Sequence, residues 1–453
     1  MNKWLKNSIF LALILSSLFF VSYVSAISYL VPITLITSFI YLRYQKKLTK
    51  HKGYNYLGLS LLLVIVIFAN KFIVSYSELS VYYTPIIAIA MLCTILFNDL
   101  MLSMVLIIAA SICAGLISGV NLYLTSVLFI GGMFASFLVI NVRRRSQIIK
   151  AGVAAGVIQI MCLIFISFAH AKDYSIYILP NIINGLFSGI FVTGVLPVFE
   201  YLFNVVTNIT LLELSDFNHP LLKRMVLEAP GTYHHSLIVG NLSEAAAEVI
   251  GANALLARIG SYYHDIGKIE KAEYFIENQS MENMTVHDQL KPSISKMVIM
   301  NHVREGKDLA RKYKLNDSIV DFITQHHGTS LVFYFYWRAL ENSGEHKEDV
   351  EEEGFRYGGP KPQTKEAAIV LLADSVEGAT RALKERTPKK IDELVRKVVN
   401  NKFIDGQLDE CDLTLSDLEV IASTFSKILA AVYHARITYP EDKSENNDNK
   451  PAE

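Results

Sequence analysis

The chain has 453 residues, of which 52% are hydrophobic and 19% are charged, and its formal net charge is −1. This balanced charge, without a concentrated basic face, argues against binding to a polynucleotide. The four cysteines show no C-x-x-C spacing, which argues against both a disulfide scaffold and a zinc–thiolate site.

The hydrophobic residues are concentrated in the first half of the chain. This half contains apolar segments that are mostly near the length needed to cross a bilayer as a helix, and segment 83–98 is the weakest of them. We therefore expect a polytopic helical membrane domain over residues 1–206, embedded in the lipid bilayer of the cell membrane. The eight segments are 8–25, 27–43, 56–76, 83–98, 100–118, 121–141, 149–170 and 177–205.

The N-terminus has two interpretations. Lys3 and Lys6, an apolar stretch and then Val24-Ser25-Ala26 resemble a signal peptide with a cleavage site of small residues. Cleavage there would leave seven apolar segments. The length of the first run and the immediate start of the next at Ile27 favour retention of all eight.

The basic residues between segments predict the orientation of the chain. Lys and Arg cluster in Arg43–Lys52 and again in Arg143–Lys150, and such loops are retained on the cytoplasmic side. Four crossings separate the two clusters, so both lie on one side. Two more crossings return the chain to that side, and we expect the second half to be cytoplasmic.

The second half has the composition of a charged, helix-forming domain. Apolar residues recur at helical spacing, as in Leu237, Val239 and Leu242, and strand signals are scarce. The sequence therefore predicts an all-α protein, a polytopic membrane domain followed by an all-helical cytoplasmic domain. The predicted boundaries are a juxtamembrane linker over 207–230, a helical domain over 231–440 and a disordered tail over 441–453.

Histidines in the second half occur in an unusual arrangement. Two histidine pairs and a histidine–aspartate pair are followed by an isolated aspartate in an apolar run. Neutral imidazole and carboxylate suit Fe, Mn or Zn, and one carboxylate can bridge two ions. These residues are His234-His235, His264-Asp265, His302, His326-His327 and Asp374.

The sequence around these residues resembles the HD superfamily, named for the histidine–aspartate doublet, and in particular the intracellular domain of the seven-transmembrane HD family. Enzymes of that family hydrolyse cyclic di-AMP. The resemblance extends from the second apolar segment to about Arg381. Its motifs are Gly231–Ser236, Tyr262–Lys268, Asn301–Val303, His326–Ser330 and Lys361–Ser375.

The resemblance implies a site for two divalent transition-metal ions, Mn or Fe, in which Asp265 bridges the two. His234 is then the spare member of its pair, and His287 has no ligand role. Besides His264 and Asp265 of the doublet, Lys268 is implied as a catalytic residue that contacts phosphate. The implied ligands are His235, His264 and Asp374 for the first ion and His302, His326 and His327 for the second, with Asp265 shared.

The resemblance further implies a phosphodiesterase that opens cyclic di-AMP to 5′-pApA. One alternative is an HD phosphodiesterase for another nucleotide such as cyclic di-GMP, but Gly328–Leu331 stands where that class carries Gly-Tyr-Pro. The other is a nucleotide-binding membrane receptor without catalysis, against which the intact ligand set argues. Assembly as a homo-oligomer stays open.

Overall fold

The computed structural model describes residues 56–76, 79–171, 173–279, 286–344 and 350–433. Helices dominate these ranges, and the described residues contain no strand beyond an isolated bridge between Leu331 and Arg356. The predicted all-α fold class is confirmed. Apolar segments 8–25 and 27–43, the N-terminal cleavage question, the first basic cluster and the tail 441–453 concern residues outside the described ranges.

The chain divides into two compact units. The first comprises residues 1–223 with 312–320, and the second comprises 224–311 with 321–453. The predicted domain boundaries at 206 and 230 stay predictions. The helices described up to residue 214 are α1 (Tyr56–Tyr76), α2 (Ile86–Phe97), α3 (Leu100–Ile117), α4 (Leu122–Val139), α5 (Arg145–His170), α6 (Ile178–Phe203) and α7 (Asn208–Leu214).

Helices α1 to α6 correspond to the six predicted apolar segments that fall within the described residues. Among these residues, four helical stretches are long and apolar enough to cross a membrane, and two apolar stretches, Val64–Ser75 and Val81–Phe97, are shorter. Large apolar side chains such as Phe165, Phe168 and Phe187 are exposed on the outside of the unit. Such a surface needs lipid around it. The chain is therefore a membrane protein.

Helix α2 lies in the interior of the first unit. It has only 12 residues, and every residue from Ile86 to Leu96 is buried. At 1.5 Å per residue it is about 18 Å long, shorter than a bilayer core of about 30 Å. A helix that is apolar on all sides is stable only when protein or lipid surrounds it, and here α3, α4 and α6 do so. This explains why segment 83–98 is the weakest in the sequence.

Helices α5 and α6 approach each other so closely that their backbones touch. A Cβ atom added at Gly185 would lie 2.5 Å from the carbonyl oxygen of Gly152, and one added at Gly152 would lie 2.4 Å from the oxygen of Gly185. Gly156 and Gly189 continue the same contact. Small residues at a helix interface allow this approach, which in a membrane replaces the hydrophobic effect as a source of association.

The second unit is built around one apolar helix, α14. Its residues Ala367–Ala373 are buried, and it packs against α9, α10, α15 and α16. A polar residue on this helix is therefore held rigidly in the interior. The remaining α-helices described are α8 (Pro220–Glu228), α9 (Pro230–Val249), α10 (Ala254–Tyr263), α11 (Pro292–Lys312), α12 (Asp317–Gln325), α13 (Phe333–Asn342), α14 (Lys365–Arg381), α15 (Pro388–Ile404) and α16 (Leu415–Val432).

We predict that Gly185→Leu destabilises the membrane domain, because its Cβ would collide with the backbone of α5. Overpacking of this kind costs about 1–3 kcal/mol. Thermal unfolding of the detergent-solubilised chain, followed by fluorescence size-exclusion chromatography, measures the effect. Gly194→Leu is the matched control, because no atom lies within 4 Å of a Cβ there. Equal stability of the two variants would contradict the close α5–α6 contact.

Candidate metal centre

Five parts of the second unit contribute the predicted ligands. His235 lies in the second turn of α9, which Pro230 begins at its first position. His264 and Asp265 follow α10 directly, where the chain changes to a 3₁₀ helix over Ile266–Tyr274. The other ligands come from the middle of α11 (His302), the turn that follows α12 (His326 and His327) and the middle of α14 (Asp374).

His235, His264, Asp265 and Asp374 form one group of potential ligands. Nε2 of His235 lies 3.0 Å from Asp374 Oδ1 and 3.6 Å from Asp265 Oδ2. Nε2 of His264 lies 3.2 Å from Asp265 Oδ2 and 3.8 Å from Asp374 Oδ1. Two ligand atoms about 2.1 Å from one ion lie about 3.0–3.4 Å apart at right or tetrahedral angles, so this group fits one transition-metal ion.

His302, His326, His327 and the same Asp265 form a second group. Asp265 Oδ1 lies 3.3 Å from Nε2 of His302 and 3.5 Å from Nε2 of His326, and the two Nε2 atoms are 3.2 Å apart. Asp265 therefore directs one oxygen to each group. His327 Nδ1 lies 3.6 Å from Asp374 Oδ2, which brings a second carboxylate near both groups.

Several buried polar atoms of the centre have no hydrogen-bond partner among the described residues. They include Nε2 of His264 and Oδ1 of Asp265, which belong to side chains at most 1% exposed. Leaving such atoms unpaired costs about 1–3 kcal/mol each, and more for a charged group. Divalent cations would satisfy these atoms, so the residues present fit the two ions that the HD sequence implies.

Main-chain carbonyls orient three of the ligand histidines. Nδ1 of His264 donates to the carbonyl of Ser261 at 2.6 Å, and Nδ1 of His302 donates to that of Ile299 at 2.6 Å. Nδ1 of His326 lies 2.9 Å from the carbonyl oxygen of Ile323. Each bond fixes the orientation of the ring, so that Nε2 faces the other ligands.

The protonation states follow from burial and from neighbouring charge. Burial lowers the pKa of His302 to about 4 and that of His327 well below its usual value, so both rings are neutral ligands at pH 7. Burial also opposes the charged form of His264, but the Asp265 carboxylate outweighs it and raises the pKa of His264 to about 10. Desolvation would raise the pKa of Asp265, yet His264 and Lys268 hold it well below the usual range.

Lys268 lies beside the shared carboxylate. Its Nζ is 2.7 Å from Asp265 Oδ2 and 2.9 Å from Glu277 Oε1. Burial opposes its charge, but these two carboxylates outweigh burial and raise the pKa of Lys268. The lysine is therefore a fixed cation at the centre, and Glu277 is a partner that the sequence did not indicate.

The remaining predicted histidines lie outside both groups. His234 is exposed, and its ring contacts Tyr233. His287 is buried, and its Nε2 bonds with the carbonyl of Tyr274 at 2.6 Å. The alternation between exposed His234 and buried His235 reflects their adjacent positions on α9, where neighbouring residues face different directions.

The sequence analysis missed Glu377 and Tyr357. Glu377 accepts a hydrogen bond from Nδ1 of His235, and the ring of Tyr357 stacks on that of His327 with centroids 4.3 Å apart. A helical face shared by Asp374 and Glu377 could have indicated the first. No local pattern indicates the second, because Tyr357 lies in a loop far along the chain from His327.

Two family models match the chain. The model described as "7TM receptor with intracellular HD hydrolase" matches residues 20–207, and the model described as "HD domain" matches residues 232–379.

Two curated relatives match most of the chain. The cyclic-di-AMP phosphodiesterase PgpH of Bacillus subtilis (strain 168) is 37% identical over 433 residues, covering 92% of this chain and 60% of the relative. That of Listeria monocytogenes serotype 1/2a (strain 10403S) is 39% identical over 331 residues, covering 72% of this chain and 45% of the relative. The chain thus spans about half of the length of these relatives.

A crystal structure of the L. monocytogenes PgpH HD domain in complex with cyclic-di-AMP is 45% identical to this chain. It aligns over 48% of this chain and 100% of the crystallised domain, with a TM-score of 0.46.

We predict that His235→Ala and His234→Ala differ in metal binding, because only His235 belongs to a ligand group. Removing a ligand should weaken ion binding by more than the roughly 10–100-fold lost with an outer partner. Metal content of the purified full chain, measured by plasma mass spectrometry after Mn²⁺ dialysis, should fall in His235→Ala and stay unchanged in His234→Ala. A reversed result would show that the assignment within the pair is wrong.

Proposed function

This chain belongs to the family of 7TM receptors with an intracellular HD hydrolase, and from that premise we propose that it is a membrane-anchored, metal-dependent phosphodiesterase for cyclic di-AMP. The observation that carries the proposal is the pair of ligand groups that share Asp265. Binuclear centres of this kind are typical of phosphodiesterases. The relatives named as cyclic-di-AMP phosphodiesterases support the choice of substrate.

The chemistry divides between the ions and the side chains. Two divalent ions, Mn or Fe from the N/O ligand set, would supply an activated water and neutralise charge on the phosphoryl oxygens. Asp265 would hold both ions, and His264 would hold the ion of the His235 group. Lys268 supplies a fixed positive charge beside them and would contact the phosphate.

We infer that the product is 5′-pApA. Hydrolysis adds one water across a single P–O3′ bond of the cyclic dinucleotide. The phosphorus keeps its bond to the 5′ oxygen and gains a hydroxyl, and the 3′ oxygen takes the remaining proton. The linear product therefore carries one 5′ phosphate and one free 3′ hydroxyl.

We also propose that the HD domain faces the cytoplasm. The basic residues Arg143 and Arg144 separate α4 from α5, which begins with a third, Arg145, and such basic clusters stay on the cytoplasmic side. The guanidinium of Arg145 lies 2.7 Å from the carboxylate of Glu213, on α7. Because α7 follows α6, the basic loop lies at the end of the bundle where the chain leaves the membrane. The positive charge of the loop and the Arg145–Glu213 contact thus both favour the cytoplasmic side for the HD domain.

We predict that the full chain with Mn²⁺ prefers cyclic di-AMP over cyclic di-GMP by at least about 100-fold in kcat/KM. A site that hydrogen-bonds one base edge leaves polar groups unpaired with the other base. The measurement compares cyclic di-AMP, cyclic di-GMP and pApA with one preparation, and Asp265→Asn controls for contaminating hydrolases. Equal or faster turnover of cyclic di-GMP would reject cyclic di-AMP as the preferred substrate. Tight binding without turnover would instead favour a receptor.

We predict that alkaline phosphatase fused after Glu453 is inactive in cells, because this enzyme is active only outside the cytoplasm. A fusion after Asp173, between α5 and α6, is the matched control and should be active, because one crossing separates it from the basic loop. Colony colour normalised to the amount of fusion protein gives the readout. An active C-terminal fusion with an inactive Asp173 fusion would invert the topology.

A further inference from the structure

Glu377 is a buried carboxylate that contacts the metal centre through Nδ1 of His235. It lies one turn after Asp374 on α14, and its side chain is 0% exposed. One oxygen accepts a hydrogen bond from Nδ1 of His235 at 2.6 Å, and the other lies 2.7 Å from the guanidinium of Arg381. A buried charge is costly unless it is paired and hydrogen-bonded, and Glu377 has a hydrogen-bond donor in His235 and a cation in Arg381.

This contact distinguishes His235 from the other ligand histidines that have an orienting partner. His264, His302 and His326 donate to main-chain carbonyls, which are neutral dipoles. His235 donates to a full carboxylate. A carboxylate behind a ligating histidine fixes the ring and makes the opposite nitrogen a stronger donor to a cation.

The two ligand groups also differ in charge. The group of His235 and His264 contains the carboxylates of Asp265 and Asp374, with Glu377 directly behind it. The group of His302, His326 and His327 contains the carboxylate of Asp265 alone, and Asp374 approaches it only at His327, at 3.6 Å. Affinity for a divalent cation rises with the negative charge of its direct ligands. The positive charge of Lys268 beside Asp265 is shared with Glu277, so the number of ligand carboxylates and the His235–Glu377 contact favour the same group.

We propose that Glu377 is a positioning residue that makes the His235 group the tighter of the two ion sites, so that the ions bind in order. The His235 group fills first, and the His302 group fills second and exchanges its ion more readily. The inference rests on the proposed metal-dependent function of this centre. It implies a state with one ion bound at low metal concentration, and hence an activity that depends on the availability of the second ion.

The test uses Glu377→Gln, Arg381→Gln and Glu393→Gln in the full chain, stripped of metal and titrated with Mn²⁺ by equilibrium dialysis. Electron paramagnetic resonance distinguishes a single Mn²⁺ from a coupled pair. Glutamine keeps a hydrogen-bond acceptor for His235 but removes the charge. Glu393 is an exposed carboxylate on α15 and serves as the control.

The wild type and Glu393→Gln should bind Mn²⁺ in two steps. Glu377→Gln should weaken the first step by roughly 10–100-fold and leave the second nearly unchanged, so that the two steps merge and coupled pairs appear before one ion per chain has bound. Arg381→Gln removes a neighbouring positive charge, so its first step should be as tight as in the wild type or tighter.

Two results would overturn the proposal. The first is that Glu377→Gln binds Mn²⁺ as the wild type does. The second is that Glu377→Gln and Arg381→Gln weaken the first step equally, which would mean that the ion pair between these residues is only structural.

His302→Ala gives a test that does not depend on folding of the Glu377 variant. It should keep one ion with the affinity of the wild-type first step, and loss of that step would reject the order. Failure to hydrolyse cyclic di-AMP with two-step binding intact would reject the proposed function alone.

Discussion

The arrangement of the second unit depends on the burial of negative charge. Asp265 is 1% exposed and lies beside the His264 ring and the Lys268 ammonium. Glu377 is fully buried and lies beside the His235 ring and the Arg381 guanidinium. Carboxylates in such surroundings stay ionised only when positive charge is close, which Lys268, Arg381 and the bound ions would supply. Each ligand must therefore be held in place by the rest of the unit. Buried α14 does this for Asp374, and backbone carbonyls do it for three of the histidines.

The parts of the fold and site that the sequence could predict are those with local signals. Apolar runs predicted the membrane helices, and helical spacing predicted the all-α class, because hydrophobic burial follows a period along the chain. The histidine pairs and the His264-Asp265 doublet are rare enough together to indicate a metal centre before any geometry is known. In the structure the seven predicted ligands lie in two groups, and His234 stays outside both.

Contacts between side chains from different parts of the chain had little or no local signal in the sequence. Glu277 pairs with Lys268 and Tyr357 stacks on His327 without a local pattern that connects them, and only the helical face that Glu377 shares with Asp374 could have indicated its contact with His235. The approach of Gly152 to Gly185 likewise depends on how two helices cross, and each glycine alone is unremarkable in a membrane segment. Sequence patterns therefore predicted the side chains that lie in the two groups, but not the residues that hold these side chains in place.

The same reasoning explains why a central apolar helix carries the carboxylates of the centre. A loop could bring Asp374 and Glu377 to the ligands, but its motion would change the distances to His235, and a misplacement of about 1 Å is enough to disable a site. On α14 the two residues are one turn apart on one face, and apolar packing on the other sides prevents rotation of the helix. Asp374 then meets His235 at Nε2 while Glu377 meets the same ring at Nδ1. Helix α14 thus contacts both nitrogens of the His235 ring. The histidines of the second group that main-chain carbonyls orient do not share this geometry.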